Sequence, residues 1–387
     1  MKIGIDIRCL AEGRRTGVEE YTLNLLENIF MLDTRDEFIL FFNSFRSSEI
    51  DFSWLEKYPN VRLRKFNFPN KILNLLFWYL NWPKIDKLIG GVDVFFMPNI
   101  IFGSVSKNAK IISTIHDLSF ERYPETFSWK RRLWHTFINP RKICQHSNRI
   151  IAISQSTKND IVNLYKINPD KITVSYNGLA EKFHIVDRND ANLIRVKEKY
   201  NLPYKFILYL GTIEPRKNIS AVVQAYVQLQ KKTISSDQNE IAKYKLVIAG
   251  ADGWLSEKIF AEIAASDCKN DIVVINFVSE EDKEFVLNLA SLFVYPSRFE
   301  GFGLPPLEAM ACGVPVITSN NSSLPEVVGD AAIMIDPDKS SEIAQAMQEL
   351  LASPELREKL IARGLVQAKK FTWIKPAEDF LKIVNKL

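Results

Sequence analysis

Short apolar runs recur along the chain, and amphipathic stretches separate them. In the first half they are "KIGIDI", "EFILFF", "VDVFFMP", "AKIISTIHD", "RIIAIS" and "KITVSYNG". Each has the length and composition of a buried strand. Between the first two, "GVEEYTLNLLENIF" places Tyr21, Leu25, Leu26, Ile29 and Phe30 at helical spacing. Ser154 precedes "QSTKNDIVNLY" as an N-cap before a helix. The rhythm pauses over residues 180–204, which are polar and mixed, then restarts with "KFILYLGT", "YKLVIAG", "DIVVINF", "SLFVYPS", "VPVITS" and "AAIMID". Strands alternating with helices predict an α/β fold with parallel sheets covered on both faces. The pause predicts two doubly wound, Rossmann-like domains, 1–190 and 191–372, divided near 190–203. Two such domains would face a central cleft from the carboxyl ends of their strands, where ligands of this architecture bind. The stretch "QKKTISSDQNEIAKY", residues 230–244, predicts an exposed loop, and the tail "FTWIKPAEDFLKIVNKL" an amphipathic helix.

A length of 387 residues fits two domains, and 47% hydrophobic with 25% charged residues is ordinary for a globular chain. The net charge of +4 is too small to point to nucleic acid. Cys9, Cys144, Cys268 and Cys312 are far apart, which fits reduced thiols in a cytoplasmic protein rather than a disulfide framework or zinc site. The N-terminus reads as a strand, not a signal peptide. No run reaches the ~18 apolar residues of a membrane span. Two segments, "NKILNLLFWYLNWPKI" (70–85) and "WKRRLWHTFINPRKI" (129–143), mix aromatics with basic residues. They suit peripheral contact with the inner face of a membrane or with a lipid-linked acceptor. Packed helices with snorkelling lysines are the ordinary alternative.

Four motifs carry candidate chemistry. In "SRFEGFGLPPLEAM", Gly301 and Gly303 let backbone approach a ligand, and Pro305 and Pro306 open a helix whose N-terminus favours phosphate. Glu300 and Glu308 would repel phosphate, so they are expected to face sugar hydroxyls at either end of a phosphate linker. A strand-to-helix turn with a charged cap is the structural alternative. In "LYLGTIEPRKNIS", Arg216 and Lys217 follow a strand at the expected start of a helix and offer a fork and a point charge to a diphosphate; solvated surface charges are the alternative. In "AKIISTIHDLSF", His116 ends an apolar run, where it would donate to a sugar hydroxyl or act as acid or base, with Asp117 to orient it. In "RCLAEGRRTGVEEY", Gly17 is the candidate close-approach residue of a phosphate loop. No G-x-G-x-x-G is present, which argues against a nicotinamide cofactor. The one D-x-D, Asp336 and Asp338, reads as a turn and helix cap, so no metal site is expected.

Taken together, "EGFGLPPLE", "GTIEPRKN", "TIHDLSF", "IAISQST", "SYNGL" and "EAMACGVPVITSNNSSLPEVVGDAA" resemble the retaining GT-B-fold glycosyltransferases of family 4, over nearly the whole chain. "HDL" with "GTIEPRKN" resembles the bacterial mannosyltransferases of O-antigen and exopolysaccharide assembly. The resemblance implies two GT-B domains, with the terminal helix 373–387 crossing back onto the first. It implies a hexose donor, GDP-mannose first and a UDP-sugar next, transferred without a metal to a glycan or lipid-linked acceptor. It implies that Arg216 and Lys217 bind the diphosphate. Glu300 would contact the donor sugar, with Gly301, Phe302, Gly303 and Leu304 lining its site. Glu308 would hold the ribose, His116 the reaction centre, Gly17 the phosphate, and Asn177 in "YNG" the neighbourhood of the cleft. Many relatives carry Arg after the residue matching Gly211, where this chain has Thr212. A sugar-nucleotide epimerase of the same fold and a non-catalytic sugar-nucleotide-binding subunit are the rival functions.

Overall fold

The computed structural model describes residues 1–12, 17–45, 50–235 and 239–387. The chain divides into two compact units. The first holds residues 1–118, 129–178 and 372–387, and the second holds 119–128 and 179–371.

The first unit is built on a seven-stranded parallel sheet. Its strands are β1 (Lys2–Asp6), β2 (Glu37–Asn43), β3 (Val61–Phe66), β4 (Val94–Met97), β5 (Lys110–Ile115), β6 (Arg149–Ala152) and β7 (Ile172–Val174), in spatial order β3-β2-β1-β4-β5-β6-β7. Central strands are buried on both faces, as in the run Phe38 to Phe42, which explains their continuous apolar sequence. The edge strand β3 reads "VRLRKF" and leaves Arg62, Arg64 and Lys65 exposed, so an apolar-run criterion passes over it. Helix Gly17–Leu32 buries Tyr21, Leu25, Leu26, Ile29 and Phe30, the stripe its spacing predicts. The C-terminal helix Ile374–Val384 packs against it, and Phe380 meets Phe96 of β4 with ring centroids 4.6 Å apart.

The second unit holds a six-stranded parallel sheet. Its strands are β8 (Phe206–Leu210), β9 (Lys245–Ala249), β10 (Ile272–Ile275), β11 (Leu292–Tyr295), β12 (Val316–Ser319) and β13 (Ile333–Ile335), in order β10-β9-β8-β11-β12-β13. Both sheets reverse the direction of strand addition once, between β1 and β4 and between β8 and β11. Ligand crevices of doubly wound sheets open at such switch points.

The units part at Gly178 and Leu179, ahead of the expected 190–203. Segment 119–128 belongs with the second unit because Phe127 stacks on Trp254 at 5.4 Å, while Trp254 Nε1 donates to Thr126 O at 2.5 Å. The expected loop 230–244 is a different matter. Helix Ile219–Ser235 runs through its first third, with Gln230 and Thr233 buried, and Ile241 is buried beyond residues 236–238, which lie outside the described set. Gln230 Nε2 donates to Tyr244 O at 3.2 Å, so a polar face here caps a neighbour instead of facing water.

Candidate functional site

In the second unit, the loops after β8 and β11 meet at the switch point. Gly211 and Thr212 follow β8, half-buried and exposed respectively. The strand end is compact: a Cβ on Gly250 would sit 1.9 Å from Gly211 O, so these two backbones approach too closely for a side chain. Arg216 and Lys217 then fall in the short turn Pro215–Lys217, ahead of the helix rather than inside it. Asn218 fixes that turn, donating from Nδ2 to Pro337 O at 2.6 Å and Pro296 O at 3.2 Å.

The turn aims both cations at the loop after β11. Lys217 Nζ lies 2.7 Å from Glu300 Oε1 and 2.7 Å from the Tyr295 hydroxyl. The Arg216 guanidinium donates to Phe299 O at 2.6 Å and to Glu214 Oε1 at 2.8 Å, and lies 3.4 Å from Glu300 Oε2. All four charged groups are almost wholly covered, with side-chain exposures of 12% or less. Burial pushes the Glu300 carboxyl upward, but Lys217 and Arg216 outweigh it and hold the group at about 2. Burial is also the largest influence on Lys217, lowering its pKa, and Arg216 adds to that while Glu300 opposes it.

The loop itself is rigidly held. Ser323 Oγ lies 2.9 Å from Glu300 O and 2.6 Å from Phe302 O, and Glu300 N donates to Ser322 Oγ at 3.1 Å. Gly301 is buried, and Phe302 packs edge-on against Phe371 at 5.6 Å. Gly303 caps helix Leu304–Ala311 at φ +121°, and a Cβ there would meet Leu324 Cδ2 at 2.8 Å. Leu304 is half-buried at the helix start. Pro305 and Pro306 remove two of the N–H groups that a helix start normally presents, so this helix start offers an anion fewer donors than an ordinary one.

Glu308 lies in the second turn of this helix and is fully buried. Its Oε1 accepts from Lys283 Nζ at 2.8 Å. Lys283 was not singled out by sequence reasoning, because "SEEDKEF" looks like a solvated charge run. The signal was its position after β10, at a strand's carboxyl end. Glu300 and Glu308 are thus each held by a lysine, at the two ends of one loop and helix.

In the first unit, His116 follows β5 and Pro98 follows β4. His116 Nε2 donates to Pro98 O at 2.8 Å, since a carbonyl only accepts. Burial lowers the pKa of this ring, outweighing the Pro98 carbonyl and Asp117, so it is neutral with Nδ1 as its acceptor. Tyr21 packs edge-on to the ring at 4.8 Å, and its hydroxyl lies 3.0 Å from Thr114 Oγ1. Pro98 and Tyr21 therefore fix the ring, while half-buried Asp117 acts on it by charge. Two residues after His116, the chain leaves the first unit. Asn177 is buried and its Oδ1 finds no hydrogen-bond partner among the described residues. Gly17 opens helix Gly17–Leu32, exposed, and among the described residues nothing beyond its chain neighbours lies within 4 Å of an added Cβ. The loop before it, residues 13–16, lies outside the described residues.

Comparisons with known proteins show the family and the fold. Residues 16–182 match the family described as Glycosyltransferase Family 4, and residues 190–366 match Glycosyl transferases group 1. The chain is 35% identical over 265 residues to O-antigen chain mannosyltransferase B of Escherichia coli, covering 68% of this chain and 67% of that protein. It is 32% identical over 268 residues to the serotype-specific mannosyltransferase WbdA of Escherichia coli, covering 69% of this chain and 32% of WbdA, so the match spans about a third of that relative. The structure of HepE from Anabaena, in complex with UDP and glucose, superposes over 100% of both chains with a TM-score of 0.72 at 17% identity. With both units matched in order and two parallel Rossmann-like sheets in place, the chain belongs to the family 4 glycosyltransferases of GT-B fold.

Proposed function

We propose that the chain transfers mannose from GDP-mannose, with retention of configuration, to a hydroxyl of a glycan or lipid-linked acceptor such as a growing O-antigen chain. The observation that carries this reading is the buried Lys217–Glu300 pair, with Arg216 beside it, at the β8/β11 switch point. The mannosyltransferase names of the relatives at 35% and 32% identity support the sugar.

In the transfer, the bond between the sugar C1 and the diphosphate breaks, a bond from C1 to the acceptor oxygen forms, and the acceptor's proton passes to the departing diphosphate oxygen. Negative charge builds on the departing diphosphate and positive character on the sugar. Arg216 and Lys217 answer the first. Two of the three Nζ hydrogens of Lys217 are held within the protein, and the third is available to a phosphate oxygen. Glu300, ionised at any physiological pH, answers the second and accepts from sugar hydroxyls. Preorganised groups of this kind need no reorientation as charge develops, so the reaction proceeds without a metal. His116, neutral and pinned through Nε2, accepts a sugar hydroxyl at Nδ1. A diol reaching Glu308 displaces the Lys283 ammonium.

The test is release of GDP from GDP-mannose with and without a mannan or lipid-linked acceptor, in the presence of EDTA. Acceptor-dependent release supports the reading. Turnover without acceptor to an isomeric sugar nucleotide makes the chain an epimerase, and tight binding with no turnover makes it a binding subunit. Faster release from a UDP-sugar replaces the donor.

A further inference from the structure

Two helices of the first unit expose apolar side chains that the fold does not use. Helix Asn70–Leu80 buries Leu73 and Phe77 on the inside, yet Ile72, Leu75, Trp78 and Tyr79 lie on its outside, with Tyr79 77% and Trp78 51% exposed. A helix apolar on both faces is normal only where both faces are covered. Inner-side Phe77 is tied down, because the Arg8 guanidinium lies 5.3 Å from its ring centre and is itself paired with Asp6. Helix Trp129–Ile138 buries only Ile138, while Trp129, Leu133 and Phe137 form an exposed stripe at four-residue spacing beside Trp134. Trp78 meets Phe137 edge-on at 5.2 Å, so the two sets form one patch.

The charge around this patch has one sign. Residues 70–85 contain two lysines and no acidic residue, and residues 129–146 contain five Lys or Arg and no acidic residue. The whole chain carries only +4, so the rest of the molecule is net acidic and the basic excess is concentrated here. Aromatic rings and leucines rimmed by cations match the boundary between acyl chains and anionic headgroups. A protein partner would need an apolar face ringed by acids, whereas a bilayer offers both features without a fitted shape.

We propose that helices Asn70–Leu80 and Trp129–Ile138 form a docking surface for an anionic lipid bilayer, with Trp78, Trp129 and Leu133 inserted at the interface and Lys130, Arg132 and Arg141 against the headgroups. This does not rest on the identity of the sugar donor.

The experiment is co-sedimentation of the full chain with vesicles of phosphatidylethanolamine and phosphatidylglycerol, against vesicles of phosphatidylcholine, at low and raised salt. The expected result is salt-sensitive binding to the anionic vesicles. Trp78→Ala/Trp129→Ala/Leu133→Ala should weaken it about ten-fold or more, and each basic residue changed to Gln about five-fold. These exposed positions should leave melting temperature and transfer to a soluble acceptor unchanged. Failure to bind anionic vesicles at low salt overturns the proposal. So does equal binding to phosphatidylcholine, or vesicle binding indifferent to the triple variant. A dimer in light scattering that the triple variant dissociates, with no vesicle binding, assigns the patch to a second copy instead.

Discussion

Lys217 has almost no contact with water, yet its ammonium is held between an anion and a phenol. Such an arrangement is weak evidence for stability, because desolvation consumes most of the Coulomb attraction; it is better suited to fixing a charge in place. Glu300 shows the sign of the effect. Its carboxyl is depressed from 4.5 to about 2, so its contribution to stability is complete above 4.5 and disappears as pH falls toward 2. The shift corresponds to about 3 kcal/mol. The native protein should lose melting temperature over that acid window, and Glu300→Gln should lose less of it; identical acid profiles would mean that the Glu300 carboxyl is not held below its ordinary range. At this scale the meeting of Glu300 with Arg216 and Lys217 could be anticipated, because both loops follow apolar runs and strand ends gather ligand residues. Lys283 was not, since the partner that gives it meaning, Glu308, lies 25 residues away along the chain.

The loop between β11 and its helix concentrates its constraints at Gly303. Its φ of +121° suits glycine alone, and the space beside it is filled by Leu324. Gly303→Ala should therefore cost about 1–3 kcal/mol from backbone strain alone. It should also shift Glu300 relative to Lys217, lowering both the unfolding midpoint in urea and the rate of transfer. An alanine variant with native stability would mean that the loop is not held as described. Elements buried on both faces announced themselves as apolar runs, and all six strands of the second sheet lie where those runs predict. The edge strand β3 and the helix over residues 230–235 did not, because a half-exposed strand and a polar helix face carry no continuous apolar signal.

Across the whole molecule, each of the two parallel sheets has one switch point, the place where ligand crevices of doubly wound sheets open. The Arg216, Lys217 and Glu300 cluster proposed to meet the donor lies in the second unit, and the exposed aromatic patch lies in the first. Binding of a donor that prefers the folded chain stabilises it by mass action, by about 2.7 kcal/mol at a hundred times the dissociation constant, and raises its melting temperature accordingly. A thermal-shift series over GDP-mannose, GDP, UDP-glucose and UDP should rank the guanine nucleotides first. A ranking led by uridine nucleotides would reassign the donor while leaving the fold and the cation pair as they are.

The central claim is that Lys217 and its neighbours stabilise a leaving diphosphate. Steady-state transfer from GDP-mannose by native protein and by Lys217→Ala measures it most directly, with circular dichroism to confirm that the variant folds. Truncating one member of a buried charge contact weakens binding by ~2–5 kcal/mol, so kcat/KM should fall roughly 30- to 3000-fold at ~1.4 kcal/mol per decade. A folded Lys217→Ala protein with undiminished kcat/KM would contradict the account.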